Sequence, residues 1–189
     1  MSWVTWLAVG GVAFIAVAFI LTLVYYYNRI RVLSNRIEEG WAQIDVQLKK
    51  RYDLVPNLVE TVKGYAEHER AIFEKVTEAR ERMVSGSREG RMEASNELTG
   101  VLRTLFAVAE NYPDLKANQN FLSLQEELTS TENKISFSRQ YYNDSVLGLN
   151  NKIQMFPSNI VAAMTGFKLG EFFEVTVAGE REAPKVSFA

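Results

Sequence analysis

The sequence predicts an all-α protein, with a single N-terminal transmembrane helix continuing into an elongated antiparallel bundle of about four long helices. Three observations carry this prediction. The first 28 residues contain no Asp, Glu, Lys, Arg or His, so all 21 basic and 23 acidic side chains lie beyond them. Past that point apolar residues recur at spacings of three and four, as on one face of a helix. No stretch between residues 29 and 155 alternates with the period of a strand.

The anchor comes first, over residues 1–28. Residues 4–24, VTWLAVGGVAFIAVAFILTLV, form an uncharged run of 21 residues. At helical rise such a run spans about 30 Å, the thickness of a bilayer's hydrocarbon core. Twelve of its residues are Val, Leu, Ile or Phe. Together they favour insertion by about 4 to 7 kcal/mol. A cleaved signal peptide needs a basic start and a shorter apolar core. No Lys or Arg precedes the run here, and the cleavage-like Ala16-Val17-Ala18 lies inside it. A buried core helix would have a polar face, which this segment lacks. Trp3 and Trp6 at one end and Tyr25, Tyr26 and Tyr27 at the other suit interfacial aromatic belts. Gly10, Gly11 and Ala18 form only a weak small-residue face. Arg29, Arg31 and Arg36 follow the run, so the positive-inside rule places the N-terminus outside and the body in the cytoplasm.

The bundle is expected over residues 29–155. Ile30, Leu33, Ile37, Trp41, Ile44 and Leu48 form one stripe, with no breaker between it and the anchor, so the helix continues out of the membrane. Gly40 within the stripe costs about 1 kcal/mol against alanine, which suggests a close neighbour. A tight helix–helix corner is expected next. Lys49, Lys50 and Arg51 suit a helix C-terminus, Asp53 an N-cap and Pro56 a first turn. The competing reading is one helix kinked at Pro56. A second stripe from Leu54 to Met83 ends at Ser85-Gly86-Ser87. A third helix, centred on Leu98, Leu102, Leu105 and Val108, stops before Pro113. The fourth runs from about Asn118 to Lys152, with Phe121, Leu128, Ile135, Tyr142 and Leu149 every seventh residue. Its companion row of Leu124, Thr131, Ser138 and Ser145 predicts close approach, with hydroxyls bonded back to the preceding turn.

Residues 156–175 form a C-terminal apolar segment in which Ser158 or Asn159 caps a short helix and Gly166 ends it. Its expected role is a lid on the bundle. The sharper alternative is that Phe167, Phe172 and Phe173 meet lipid or a partner. Residues 176–189 are expected to be a disordered tail.

Chemistry finds little purchase. Cysteine is absent and His68 is the only histidine, so thiol catalysis and multi-histidine metal sites are excluded. His68, between Glu67 and Glu69, reads as a solvated helix-face residue. Adjacent carboxylates such as Glu38-Glu39 and Glu126-Glu127 are ordinary on exposed helix faces, so a carboxylate hydrolase gains no support. A net charge of -2 with interspersed signs gives no basic face for nucleic acid. No catalytic, cofactor-binding or metal residue, no cofactor and no small-molecule substrate is therefore predicted.

Three segments resemble the LemA family of bacterial membrane-anchored proteins. They are NRIEEGWAQIDVQLKKRYDLVPNLVETVKGYAEHE (35–69), NYPDLKANQNFLSLQEELTSTENKISFSRQYYND (111–144) and IQMFPSNIVAAMTGFK (153–168). The resemblance implies a single N-terminal anchor in a bacterial inner membrane and a helical cytoplasmic core, and it brings no catalytic residues with it. The resulting expectation is a non-enzymatic scaffold that holds the bilayer through residues 4–24. It would associate with copies of itself and present helix faces to other membrane proteins. The alternative is a regulatory or signal-relay subunit of a membrane enzyme such as a protease complex.

Overall fold

A computed structural model describes residues 3–66 and 68–173. The expected tail at 176–189 lies outside them. The described elements are all helices: α1 Trp3–Lys63, α2 Arg70–Arg82, α3 Arg88–Ala109, α4 Pro113–Lys116, α5 Gln119–Gln154 and α6 Ser158–Thr165. Among the described residues there is no strand. The contacts group into two compact units, one joining the chain up to Trp41 with Gln140–Phe172, the other centred on Ala42–Arg139.

In the first unit, Ile30, Leu33 and Ile37 of α1 are buried, as are Tyr142, Val146 and Leu149 of α5 and Val161 and Ala162 of α6. Here α1 and α5 run antiparallel, because Leu33 meets Gly148 while Gly40 meets Tyr141 and Tyr142. The approach is close. A Cβ on Gly40 would stand 3.2 Å from the Tyr142 Cα and 3.2 Å from Tyr141 Cδ1. Ser145 of the companion row is buried, and its hydroxyl donates to the Tyr141 carbonyl at 2.8 Å. Gly40→Ala is therefore expected to destabilise by about 1 kcal/mol, because overpacking against backbone outweighs the helix-propensity gain. Thermal unfolding followed by circular dichroism checks this; a raised Tm would mean that the two helices can part freely.

After α6, Gly166 adopts a left-handed conformation with φ 74°, which turns the chain back. The Phe167 ring then lies 6.0 Å from that of Tyr27, with the Arg31 guanidinium 5.5 Å from its centroid. Gly170 is clamped by Asn150, whose amide donates to the Gly170 carbonyl at 3.0 Å and accepts from its N–H at 2.8 Å.

In the second unit the final third of α1, then α2, α3 and the first half of α5 alternate in direction. Asp45 and Arg51 of α1 meet Arg91 and Ser95 of α3 respectively, so these two helices run parallel. Asn96 and Phe106 of α3 meet Arg139 and Phe121 of α5, so that pair is antiparallel. Arg80 of α2 reaches Tyr52 of α1, and a short turn joins them into a hairpin. The core is built from Ile44, Leu48, Val55, Leu58 and Val62 of α1, Phe73 and Val76 of α2, Leu98, Leu102 and Leu105 of α3, and Phe121, Leu128 and Ile135 of α5. Thr131 is buried, its hydroxyl bonded to the Glu127 carbonyl at 2.8 Å, as the companion row predicts.

The structure corrects the expected corner at Asp53–Pro56. α1 continues through Pro56 to Lys63, and Asp53 caps nothing; it is exposed and pairs with Lys49 at 2.7 Å. A proline inside a helix leaves the carbonyl four residues earlier without its N–H partner. Here that carbonyl belongs to Tyr52, and Arg80 Nε donates to it at 3.0 Å. The same guanidinium lies 3.6 Å from the Tyr52 ring centroid. With the orphan satisfied and buried residues on both sides of it, Pro56 does not end the helix. The turn falls instead after Lys63, where the Tyr65 and Ala66 N–H groups both donate to the Val62 carbonyl. The stripe expected as one helix from Leu54 to Met83 is divided there. The next turn contains Gly86 at φ 115° and Ser87, which caps α3 by accepting from the Gly90 N–H at 3.2 Å.

Candidate interaction surfaces

His68 lies in the turn between α1 and α2, exposed but not on a helix face. The helical stripe breaks at Gly64, before the chain reaches it. Among the described residues no three His, Cys, Asp or Glu side chains group in a way that could hold a metal ion. The adjacent carboxylates take separate structural partners. Glu39 accepts from the Tyr141 hydroxyl at 3.0 Å, and Glu127 pairs with Lys50 at 3.2 Å. Burial and the Glu39 carboxylate raise the Tyr141 phenol above its ordinary pKa.

The polar feature of the second unit's core is Arg51, which is almost fully buried. Its Nη1 lies 2.7 Å from Glu132 Oε2 and donates to the Ser95 carbonyl and hydroxyl at 3.2 and 3.1 Å. Thr99 completes the group by donating to Glu132 Oε2 at 3.2 Å. Burial pulls the Arg51 guanidinium below its ordinary pKa, and the Glu132 carboxylate opposes that shift. An arginine stays protonated in proteins, so it offers no general base. The group ties α1, α3 and α5 together. Spacing could have revealed it, because Arg51 falls between Leu48 and Val55 on the buried stripe.

Two open surfaces of the second unit involve α5. A shallow, open groove of about 890 Å³ follows its outer side, between Gln119, Leu122, Ser123, Glu126, Ser130 and Phe137. A second of about 310 Å³ lies between Gln43, Val46 and Gln47 of α1 and Lys134 and Phe137 of α5. Phe137 stands where they meet, 72% exposed, with Val46 beside it 63% exposed. It belongs to neither buried row of α5, and that is the signal in the sequence: a large aromatic residue off both seams. The three aromatic residues singled out at the C-terminal end separate. Phe167 is engaged with Tyr27 and Arg31, Phe172 is exposed and Phe173 is half-buried.

The N-terminal part of α1 is long and apolar enough to cross a membrane, and none of its most apolar window is buried in the fold. Together with the helical body this defines a class: a membrane-associated, all-α protein with one N-terminal candidate span. The LemA family profile matches residues 40–188, and the chain belongs to that family. It is 27% identical to magnetosome protein MamQ 2 of Paramagnetospirillum magneticum over 191 residues, covering 87% of this chain and 70% of the relative. To magnetosome protein MamQ of Magnetospirillum gryphiswaldense it is 25% identical over the same shares. Protein LemA of Metamycoplasma hominis is 25% identical over 158 residues, 79% of this chain and 72% of its own.

Proposed function

We propose that the chain is a non-catalytic, membrane-anchored scaffold that self-associates through the outer face of α5. The N-terminus lies outside the inner membrane and the body in the cytoplasm. The observation that carries this reading is Phe137, a large aromatic side chain held in water at the junction of two grooves. Copies anchored in one bilayer share an orientation and a raised local concentration, so the economical assembly has its symmetry axis along the membrane normal and packs α5 beside α5 in parallel. The outer row Ser123, Ser130 and Phe137 keeps the seven-residue spacing that such packing needs. Arg29, Arg31 and Arg36 support the orientation. The matched relatives are named for the magnetosome in two organisms and for the family alone in a third, which suits a helical module used in more than one setting.

The absence of cysteine makes the test clean. In native membranes, Ser130→Cys is expected to cross-link to itself, and adding Phe137→Ser to that variant should abolish the product. Purified wild type that sediments as a monomer at every concentration, without a cross-linked product, would refute self-association. Recovery of a second protein at fixed stoichiometry would replace it with a regulatory subunit's role. Protease added outside intact cells should leave the body uncut.

A further inference from the structure

The candidate span meets the rest of the first unit where α1 and α6 come together. α6 packs against α1 where the apolar run ends, and Val161, Met164 and Thr165 line an open apolar pocket of about 210 Å³ with Leu23, Val24 and Tyr27. The Thr165 hydroxyl turns inward to the Val161 carbonyl at 2.7 Å, which leaves the pocket wall apolar. α6 and the turn before it also expose Phe156, Ile160 and Ala163, and Met164 at the edge of that pocket is exposed as well. Phe156 is 79% and Met164 70% exposed. Together they make an apolar surface that the protein leaves uncovered.

Charge is segregated around it. No acidic residue precedes Glu38, and none lies between Asp144 and Glu171. Those same stretches carry Arg29, Arg31, Arg36, Lys152 and Lys168. The uncharged run from Ile153 to Phe167 is bracketed by the two lysines, both with side chains at least partly open to solvent. Elsewhere in the chain acids and bases are interspersed, so the net charge of -2 hides a wholly basic end.

We propose that this end is a lipid-binding surface: α6 lies in the headgroup layer of an anionic leaflet, inserting Phe156, Ile160 and Met164 while Arg29, Lys152 and Lys168 meet lipid phosphates. The occupant follows from position. When residues 4–24 fill the hydrocarbon core, the side chains touching Leu23 and Val24 stand at its boundary, and lipid surrounds the span there. Met164 stands at that depth with Ile160 one turn before it on α6, and a basic rim selects anionic headgroups over zwitterionic ones. Phe167 takes no part, because its ring is already covered by Tyr27 and Arg31. The proposal rests on the span being real, so its test carries a control for that.

The full chain, without native cysteine, is reconstituted with a nitroxide label at Phe156→Cys, Ile160→Cys, Met164→Cys, Leu21→Cys or Phe137→Cys in turn. Collision rates with oxygen and with a water-soluble nickel chelate report depth. In phosphatidylglycerol–phosphatidylcholine vesicles the α6 labels are expected to resemble Leu21→Cys, with oxygen favoured several-fold, and to differ from Phe137→Cys. Lys152→Gln with Lys168→Gln should bring the α6 labels to the shallower position they adopt in pure phosphatidylcholine. A water-like α6 with a lipid-like Leu21→Cys would overturn this inference alone; a water-like Leu21→Cys would remove the span as well. An α6 label shielded from both reagents would mean a protein partner, and would overturn it too. A depth indifferent to both lipid charge and the lysines would overturn the anionic selectivity.

Discussion

Glu132→Gln is expected to destabilise the second unit by about 3 kcal/mol, more than the loss of Arg51 itself in Arg51→Met. The two variants differ in which group is left behind. Arg51 has a side chain only 3% exposed, whereas Glu132 is 38% exposed. Glutamine keeps the size and an acceptor oxygen but leaves the guanidinium charge in the core with only neutral partners, the amide oxygen and the Ser95 carbonyl and hydroxyl. Methionine removes that charge, fills similar volume, and leaves a carboxylate that can turn to water, so its cost is expected at about 1 kcal/mol or less. Arg51→Met combined with Glu132→Gln should be no worse than Arg51→Met alone. Denaturant midpoints of the detergent-solubilised protein read the order. Equal losses in the two single variants would mean that the pair acts through packing and not through charge.

Arg80→Met is expected to cost about 2 kcal/mol, the loss of a charge-assisted hydrogen bond and a cation–π contact. Its informative partner is Pro56→Ala. In wild type, Pro56→Ala should change little, because Arg80 already occupies the Tyr52 carbonyl. With Arg80→Met, the N–H that alanine restores at position 56 can close the ordinary helical bond to that carbonyl, and about 1 kcal/mol should return. Additive effects in this double-mutant cycle would show that Arg80 does not compensate for the proline.

Much of the fold is legible in the sequence because local pattern and tertiary packing agree. The uncharged run, the unbroken exit from it, the stop of α3 before Pro113, the small hydroxyl row of α5 and the Gly166 terminator each follow from residues within a few positions. The corner expected at Pro56 is misplaced because its compensation is tertiary. Arg80 stands 28 positions away, and a rule about proline inside a stripe cannot see it. Gly64, followed by residues that interrupt the stripe, is the available hint. The α5 surface escapes sequence reasoning for a different reason. Periodicity identifies residues that are buried, and Phe137 matters by being large and unburied off both buried rows. The Arg51 group has the opposite signature, a cation where the stripe calls for an apolar residue.

α1 and α5 each cross from one compact unit to the other, at Trp41–Ala42 and Arg139–Gln140. Neither unit is therefore a separable cassette. A gene cut at those points would sever two helices at mid-length and leave about eight unpaired main-chain groups at each new pair of ends. Fraying begun on one side would unwind residues that the other side needs for its own interior. Grafting, truncation or domain exchange in this protein should accordingly respect the helix termini near Lys63, Gln119 and Gln154, and leave the contact boundary intact.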